Sequence, residues 1–382
     1  MKTFKMLTSI HFGKNALGRL KEIPQKRILI ITDPFVVTSG MIDMITGPLE
    51  EADKAYQIFS DVVPDAPIDK ISIGVEAFMK YGPDCIVSVG GGSAIDSAKA
   101  IREFARRIDG EKANVPMIAI PTTSGTGSEV TCFAVVNDTE AKVKYPLVSD
   151  DLAAQEAILD AKLVTSVPPS VTADTGMDVV THALESYVST DHNEFSAALA
   201  EKSLEICGVF LLRAYYDGKD LHARQKMHVA SSLAGLAFNT ASLGINHSLA
   251  HQLGARFHIP HGRANAMLLP LVIAFNSGIS HGSRSQKEYL PAVERYASAA
   301  HVLGLSSYNP VMGVRSLINW TQFMMTEMKI PMHISDMQTI EAADYFDAID
   351  EMAENALRDA CTATNPRPVT KEDLKKLFAQ LW

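Results

Sequence analysis

Asp178 and His182 stand four residues apart in Thr175-Gly-Met-Asp178-Val-Val-Thr-His182-Ala-Leu-Glu-Ser-Tyr187. On a helix that spacing puts carboxylate and imidazole on one face, where a divalent ion can bridge them without distorting the backbone. Further on, Leu243 to Asn265 carries His247, His251, His258 and His261, four of the chain's twelve histidines. A single histidine on a mixed helix is usually a satisfied polar or surface residue. Several beside a carboxylate–imidazole pair point to a metal. Spacing alone leaves open which of the second group coordinate: His247 and His251 form another i, i+4 pair, while His261 follows Ile259-Pro260 and is expected in a loop just before a helix.

The elements that must carry these residues divide in two. Over about the first 165 residues, short apolar runs such as Arg27–Thr32, Cys85–Val89 and Met117–Ile120 alternate with helical patterns such as Met41–Ala52 and the stretch through Arg107. Continuous apolar strands alternating with helices predict a parallel sheet covered on both faces. After Ser166-Val-Pro-Pro-Ser170, long helical stretches such as Glu194–Tyr215 and Arg224–Asn239 take over, and the tandem prolines suit a helix start. The expected fold is therefore an α/β domain with a parallel sheet over residues 1–168, followed by an all-helical domain over 169–382 that carries the candidate metal ligands.

Three features of the first half suit a polar, anionic ligand. Gly90-Gly91-Gly92-Ser93 lies between a buried strand and a helix, where backbone N–H groups and the helix dipole favour phosphate. It is not the GxGxxG fingerprint, and alone it is equally a plain turn. Pro121-Thr-Thr-Ser-Gly-Thr-Gly-Ser128-Glu129 gathers hydroxyls and glycines after another strand. Asp33 ends the strand at Thr32, where a carboxylate can accept from a ribose 2′-hydroxyl and repel a 2′-phosphate, although before Pro34 it is also a turn former.

The 382 residues, 47% hydrophobic and 21% charged, allow two domains with large cores, and the net charge of −9 with no basic stripe argues against a nucleic-acid partner. Cys85, Cys132, Cys207 and Cys361 are widely spaced and read as reduced thiols rather than a zinc motif. The first residues lack a secretory pattern, and the apolar run Met267–Phe275 is far short of the roughly 20 residues that span a bilayer. A cytoplasmic location is expected.

From Phe12-Gly13 to Asn365-Pro366-Arg367, through GGGSxxDxxK, the hydroxyl-rich loop and both histidine segments, the chain resembles the iron-containing (group III) alcohol dehydrogenases. The resemblance implies Asp178, His182, His247 and His261 as metal ligands, and His251 as a residue beside nicotinamide and substrate. It implies NAD(H) bound by Gly91, Gly92, Ser93, Asp96, Thr122, Thr123, Thr126 and Lys144. Asp33 then predicts NAD over NADP, whereas Asp65 stands where many relatives have Asn. Without the resemblance, Asp96 and Lys99 would be an exposed helical pair, and Lys144 a solvated strand-edge charge. The same resemblance brings Phe133, Phe238 and Cys361 to the substrate and makes the metal Fe(II), with Zn(II) as the alternative.

This implies hydride exchange between nicotinamide and a short primary alcohol or aldehyde, with His251 as the proton relay. Lys144–Ser149 and Ile245–Gly254 look most like the 1-propanol and ethanol dehydrogenases of propanediol or ethanolamine utilisation. That subgroup suggests propanal or acetaldehyde as substrate, a homodimer or larger oligomer, and association with a bacterial microcompartment. The competing readings are a polyol dehydrogenase and a dehydroquinate-synthase-like lyase, the latter drawing on Arg256 and Arg263; a non-catalytic metal or nucleotide sensor has no recognition module to support it.

Overall fold

The computed structural model describes residues 3–110, 114–139, 143–279 and 290–382. They form two compact units, Lys5–Ser166 and Val167–Trp382, the second joined by the residues up to Phe4.

The first unit holds strands β1 (Ser9–Phe12), β2 (Arg27–Thr32), β3 (Ala55–Phe59), β4 (Cys85–Gly90), β5 (Met117–Pro121), β6 (Phe133–Asp138), β7 (Val143–Val148) and β8 (Glu156–Leu159). Six pair in parallel in the order β1-β8-β5-β4-β2-β3. Both faces are covered. Leu29, Ile31, Ile86 and Ala119 enter one core, while Ile28, Ile30, Val87, Ile118 and Ile120 enter another. That explains the unbroken apolar runs: successive side chains point to opposite faces, and neither face meets water. Helices α1 (Arg19–Glu22), α2 (Pro34–Thr38), α3 (Asp43–Glu51), α4 (Ile68–Tyr81) and α5 (Gly92–Asp109) complete this unit.

The strand order changes direction between β2 and β4. From β2 the chain goes outward to β3, then returns past β2 to lay down β4 on its other side. Open α/β sheets bind ligands beyond the carboxyl ends of the strands at such a switch point. Asp33 follows β2 there, and Gly91 follows β4.

One element departs from the expected pattern. β6 and β7 form a separate antiparallel hairpin. In β6 the buried Ala134 and Val136 alternate with the partly exposed Phe133 and the exposed Val135, a half-buried period that the search for continuous apolar runs does not detect.

The second unit is built of α6 (Pro169–Val188), α7 (Glu194–Tyr216), α8 (Leu221–Ala241), α9 (Ile245–Phe257), α10 (His261–Ser277), α11 (Leu290–Val302), α12 (Pro310–Glu327), α13 (Ala342–Arg358) and α14 (Lys371–Leu381). Pro169 occupies the first position of α6, where its missing N–H costs nothing. Among the described residues one core runs through these nine helices, and α6 is buried on nearly every side. Among the described residues no helix is long and apolar enough to cross a membrane.

Candidate active site

Asp174, Asp178, His182 and Glu185 follow one another at intervals of four, four and three along α6, so a single stripe of this buried helix is polar. α9 supplies His247. It ends at His258, whose left-handed backbone (φ 54°) turns the chain through Ile259-Pro260 and lets α10 begin at His261. Gly262 fits the close approach of α10 to α6: a Cβ there would lie 2.1 Å from the carbonyl oxygen of Asp174. Arg263 secures the same junction with two hydrogen bonds, Nε to Asp174 Oδ1 (3.2 Å) and Nη2 to Oδ2 (3.0 Å).

The result brings one donor atom each from Asp178, His182, His247 and His261 within 4.8 Å of one another. Asp178 Oδ1 is 3.8 Å from His247 Nε2 and 3.5 Å from His261 Nε2; Oδ2 is 4.0 Å from His182 Nδ1. These separations exceed a hydrogen bond. They suit atoms sharing one ion, since donors at about 2.0–2.2 Å from a common centre stand roughly 3–4 Å apart. One oxygen and three nitrogens suit Fe(II) or Zn(II), so the donor set fits a divalent cation. Asp178, His182 and His247 are buried, whereas the His261 side chain is 42% exposed, so the cluster is accessible on that side.

Three residues that spacing did not single out order this cluster. Asn265 Nδ2 donates to Asp178 Oδ1 (2.8 Å), and Asn246 Nδ2 donates to Asn265 Oδ1 (3.0 Å), tying α9 to α10. Glu185, one turn beyond His182, accepts from His247 Nδ1 at 2.5 Å. Burial pushes the Glu185 carboxyl up to about 8 against the pull of backbone N–H bonds. Burial and the neighbouring imidazoles push His247 well below its ordinary value. Burial thus favours the neutral form of both groups, and a cation at the cluster would promote ionisation of Glu185 while keeping the His247 ring neutral. Continuing the Asp178–His182 face by one more turn would have flagged Glu185 in the sequence.

His251 lies on α9 one turn past His247, outside the four-residue cluster but with its ring stacked 5.5 Å from that of His261. Its Nδ1 pairs with Asp359 Oδ2 at 2.8 Å. Burial opposes ionisation of Asp359, yet the hydrogen bond from His251 and the charge interaction with it hold that carboxyl below its usual range. Nothing near His251 in sequence predicts this partner. Phe238 stacks on His182 at 4.6 Å. Cys361, partly buried, has its thiol held well above the ordinary range by burial and by Asp359 and Glu185, so it stays neutral. Phe133 belongs to the other unit, at the start of β6.

In the first unit, α5 starts at Gly92 with Gly91 as its N-cap and no side-chain cap, leaving backbone N–H groups at the switch point. Gly90 has φ 152°, and a Cβ there would lie 2.5 Å from that of Ala94. A Cβ on Gly92 would lie 2.8 Å from Thr126 Cγ2, so this glycine also makes room for the second loop. Thr123 lies against Gly91, and Thr122 N–H donates to the Gly90 carbonyl. Thr126 Oγ1 accepts from Ser128 N–H, and Ser93 Oγ accepts from Asp65 N–H. Asp65 has φ 68°, a conformation that Asn and Asp tolerate best, which gives a backbone reason for either residue there. Asp33 caps α2 through Oδ1, which accepts from Val36 N–H.

Asp96 and Lys99 are not an exposed pair. Asp96 accepts from Ser128 Oγ (2.6 Å) and Val135 N–H (3.0 Å), and so anchors the loop rather than presenting its carboxylate. Lys99 is fully buried, with Nζ donating to the carbonyls of Ser128, Thr131 and Phe133 at 2.7–2.8 Å. Sequence spacing misses this because the acceptors are backbone groups about thirty residues away. Lys144 pairs with Asn137 in the β6–β7 hairpin; its side chain lies outside the described residues.

Comparison with known proteins bears on the whole chain. Residues 8–161 match the family described as iron-containing alcohol dehydrogenase, and residues 172–382 match the C-terminal part of the iron-containing alcohol dehydrogenase family. A 1-propanol dehydrogenase of Citrobacter freundii is 42% identical over 381 residues, covering all of both chains. An NADPH-dependent butanol dehydrogenase of Clostridium saccharobutylicum is 38% identical over 99% of this chain and 97% of its own. The crystal structure of a 1,3-propanediol oxidoreductase superposes with a TM-score of 0.91 at 32% identity, covering all of both chains.

Proposed function

Because this chain belongs to the iron-containing alcohol dehydrogenase family, an oxidoreductase that uses iron and NAD(H) on short alcohols and aldehydes, we propose that its substrate pair is propanal and 1-propanol, with acetaldehyde and ethanol next. The observation that carries the reading is the buried cluster of one carboxylate and three imidazoles, accessible on its His261 side.

Asp178, His182, His247 and His261 would hold the ion. When bound, the ion polarises a substrate oxygen as a Lewis acid and the nicotinamide takes or gives the hydride. His251 handles the proton: Asp359 holds its Nδ1, leaving Nε2 to exchange with substrate or water. Gly91 and Gly92, at the start of α5, offer backbone N–H groups to the pyrophosphate, and Asp33 offers its carboxylate to the ribose. Ser93, Thr122, Thr123 and Thr126 border the same loops, and Lys144 is assigned to the cofactor on family resemblance.

Phe238, stacked on His182, and the neutral thiol of Cys361 present apolar surface near the cluster, and Phe133 is assigned to the substrate on family resemblance. Such a lining favours unbranched monofunctional substrates over polyols. Arg263, which a lyase acting on an acidic substrate would need, is held by Asp174. The similarity to a 1-propanol dehydrogenase extends the proposal to a cytoplasmic homo-oligomer associated with a bacterial microcompartment.

The test is anaerobic NADH oxidation with propanal and butanal, and NAD+ reduction with 1-propanol, glycerol and 1,3-propanediol, using protein stripped of metal and reloaded separately with Fe(II) and Zn(II). Turnover restored by Fe(II), highest with propanal and abolished by His261→Ala, is expected. No turnover with any short aldehyde would overturn the proposal, and faster oxidation of a diol would move the assignment to the polyol dehydrogenases.

A further inference from the structure

Glu185 is 3% exposed and sits against the first turn of α9. Its Oε1 accepts from Asn246 N–H at 2.7 Å, and its Oε2 accepts from His247 N–H at 3.3 Å and His247 Nδ1 at 2.5 Å. Gly244 permits this seat, because a Cβ there would lie 2.8 Å from Glu185 Oε1 and 2.9 Å from Asn365 Oδ1. His247 thus has its backbone and one ring nitrogen held by the same carboxylate. Its other ring nitrogen, Nε2, points toward Asp178.

We infer that Glu185 is a positioning residue of the metal centre, fixing His247 in the Nδ1–H tautomer with Nε2 aimed at the ion. The inference rests on the dehydrogenase reading only for the identity of that ion. A carboxylate presents acceptors on both oxygens, which suits three N–H donors. A glutamine cannot do this. With its oxygen toward His247, its NH2 faces the N–H of Asn246. With the amide reversed, the NH2 donates to Nδ1, so His247 must carry its proton on Nε2, the atom that would bind the ion. Either way Glu185→Gln costs a donor–donor clash or a ligand.

Zn(II) affinity of the metal-stripped full chain, measured by competition with a chromophoric chelator, tests this without reference to turnover. Glu185→Gln should bind about 10- to 100-fold more weakly than the native chain. The Co(II)-loaded variant should show an altered ligand-field spectrum. Added to His247→Ala, the same change should cost no further affinity, because Glu185 acts through that ring. Affinity within about threefold of the native chain would overturn the proposal, as would an undiminished loss in the His247→Ala background. A lower thermal midpoint of the metal-free protein with affinity intact would assign Glu185 to capping α9 alone, and would overturn it too. If Glu185→Gln does not fold, Glu185→Asp, which keeps the charge but shortens the reach to Nδ1, is judged by the same thresholds. Failure of NADH turnover would sink the dehydrogenase reading and leave this result standing.

Discussion

Gly90 and Asp33 meet across the ends of β4 and β2: a Cβ on Gly90 would come within 3.3 Å of Asp33 Oδ2. The carboxylate therefore lies beside bare backbone at the switch point of the sheet, with Oδ1 engaged in capping α2. A ribose reaching that point would meet Asp33, and a 2′-phosphate would meet its charge.

Asp33→Ser keeps a capping oxygen and removes the charge. The ratio of kcat/KM for NADPH to that for NADH should rise on the order of tenfold or more. An unchanged ratio would remove Asp33 from cofactor selection.

Gly92→Ala places a methyl 2.8 Å from Thr126 Cγ2 and must push the second loop away from the start of α5. NADH should bind on the order of tenfold more weakly, as read by quenching of its fluorescence. Thr126→Ser removes the offending methyl but keeps the hydroxyl that accepts from Ser128 N–H, so the double variant should recover much of the loss. Equal weakening in both would mean that Gly92 matters for another reason.

Lys99 ties stability to pH. Burial pulls its ammonium down to about 8 from 10.5, with Asp96 and Glu129 pulling the other way. Between those values the unfolded chain holds a proton that the folded chain has released. The penalty of the buried charge is therefore full below about pH 8 and is relieved as pH rises toward 10.5. Unfolding free energies of the native chain and Lys99→Met should diverge in favour of the native chain by about 3 kcal/mol across that window. A flat difference in urea titrations would show that Lys99 does not titrate there.

Gly262→Ala drives a Cβ to 2.1 Å from the backbone oxygen of Asp174, a contact that side-chain rotation cannot relieve. α6 and α10 must separate, carrying Asp178 away from His261. A destabilisation of about 1–3 kcal/mol by calorimetry and reduced Zn(II) uptake are expected together. Full metal uptake by a destabilised protein would show that the cluster tolerates the shift.

The sequence by itself carried a good share of this protein. The runs Arg27–Thr32, Cys85–Val89 and Met117–Ile120 are legible as strands because a sheet covered on both faces demands apolar side chains at every position. Asp178 and His182 are legible as partners because helix geometry converts a spacing of four into one face. The β6–β7 hairpin was not legible as an added element, because its apolar period is half as dense.

The tertiary structure decided what supports those residues. Glu185 reaches His247 across 62 positions, Asp359 reaches His251 across 108, and Lys99 finds carbonyls about thirty positions away. Taken singly in sequence, each is an ordinary charged residue that belongs on a surface. Glu185 and Lys99 become buried partners, and Asp359 a partly buried one, only when packing brings two helices, or a helix and a loop, together. Local periodicity fixes the face a side chain points from; which group waits opposite is set by how distant segments pack, and that determines the charge, tautomer and reach of the site.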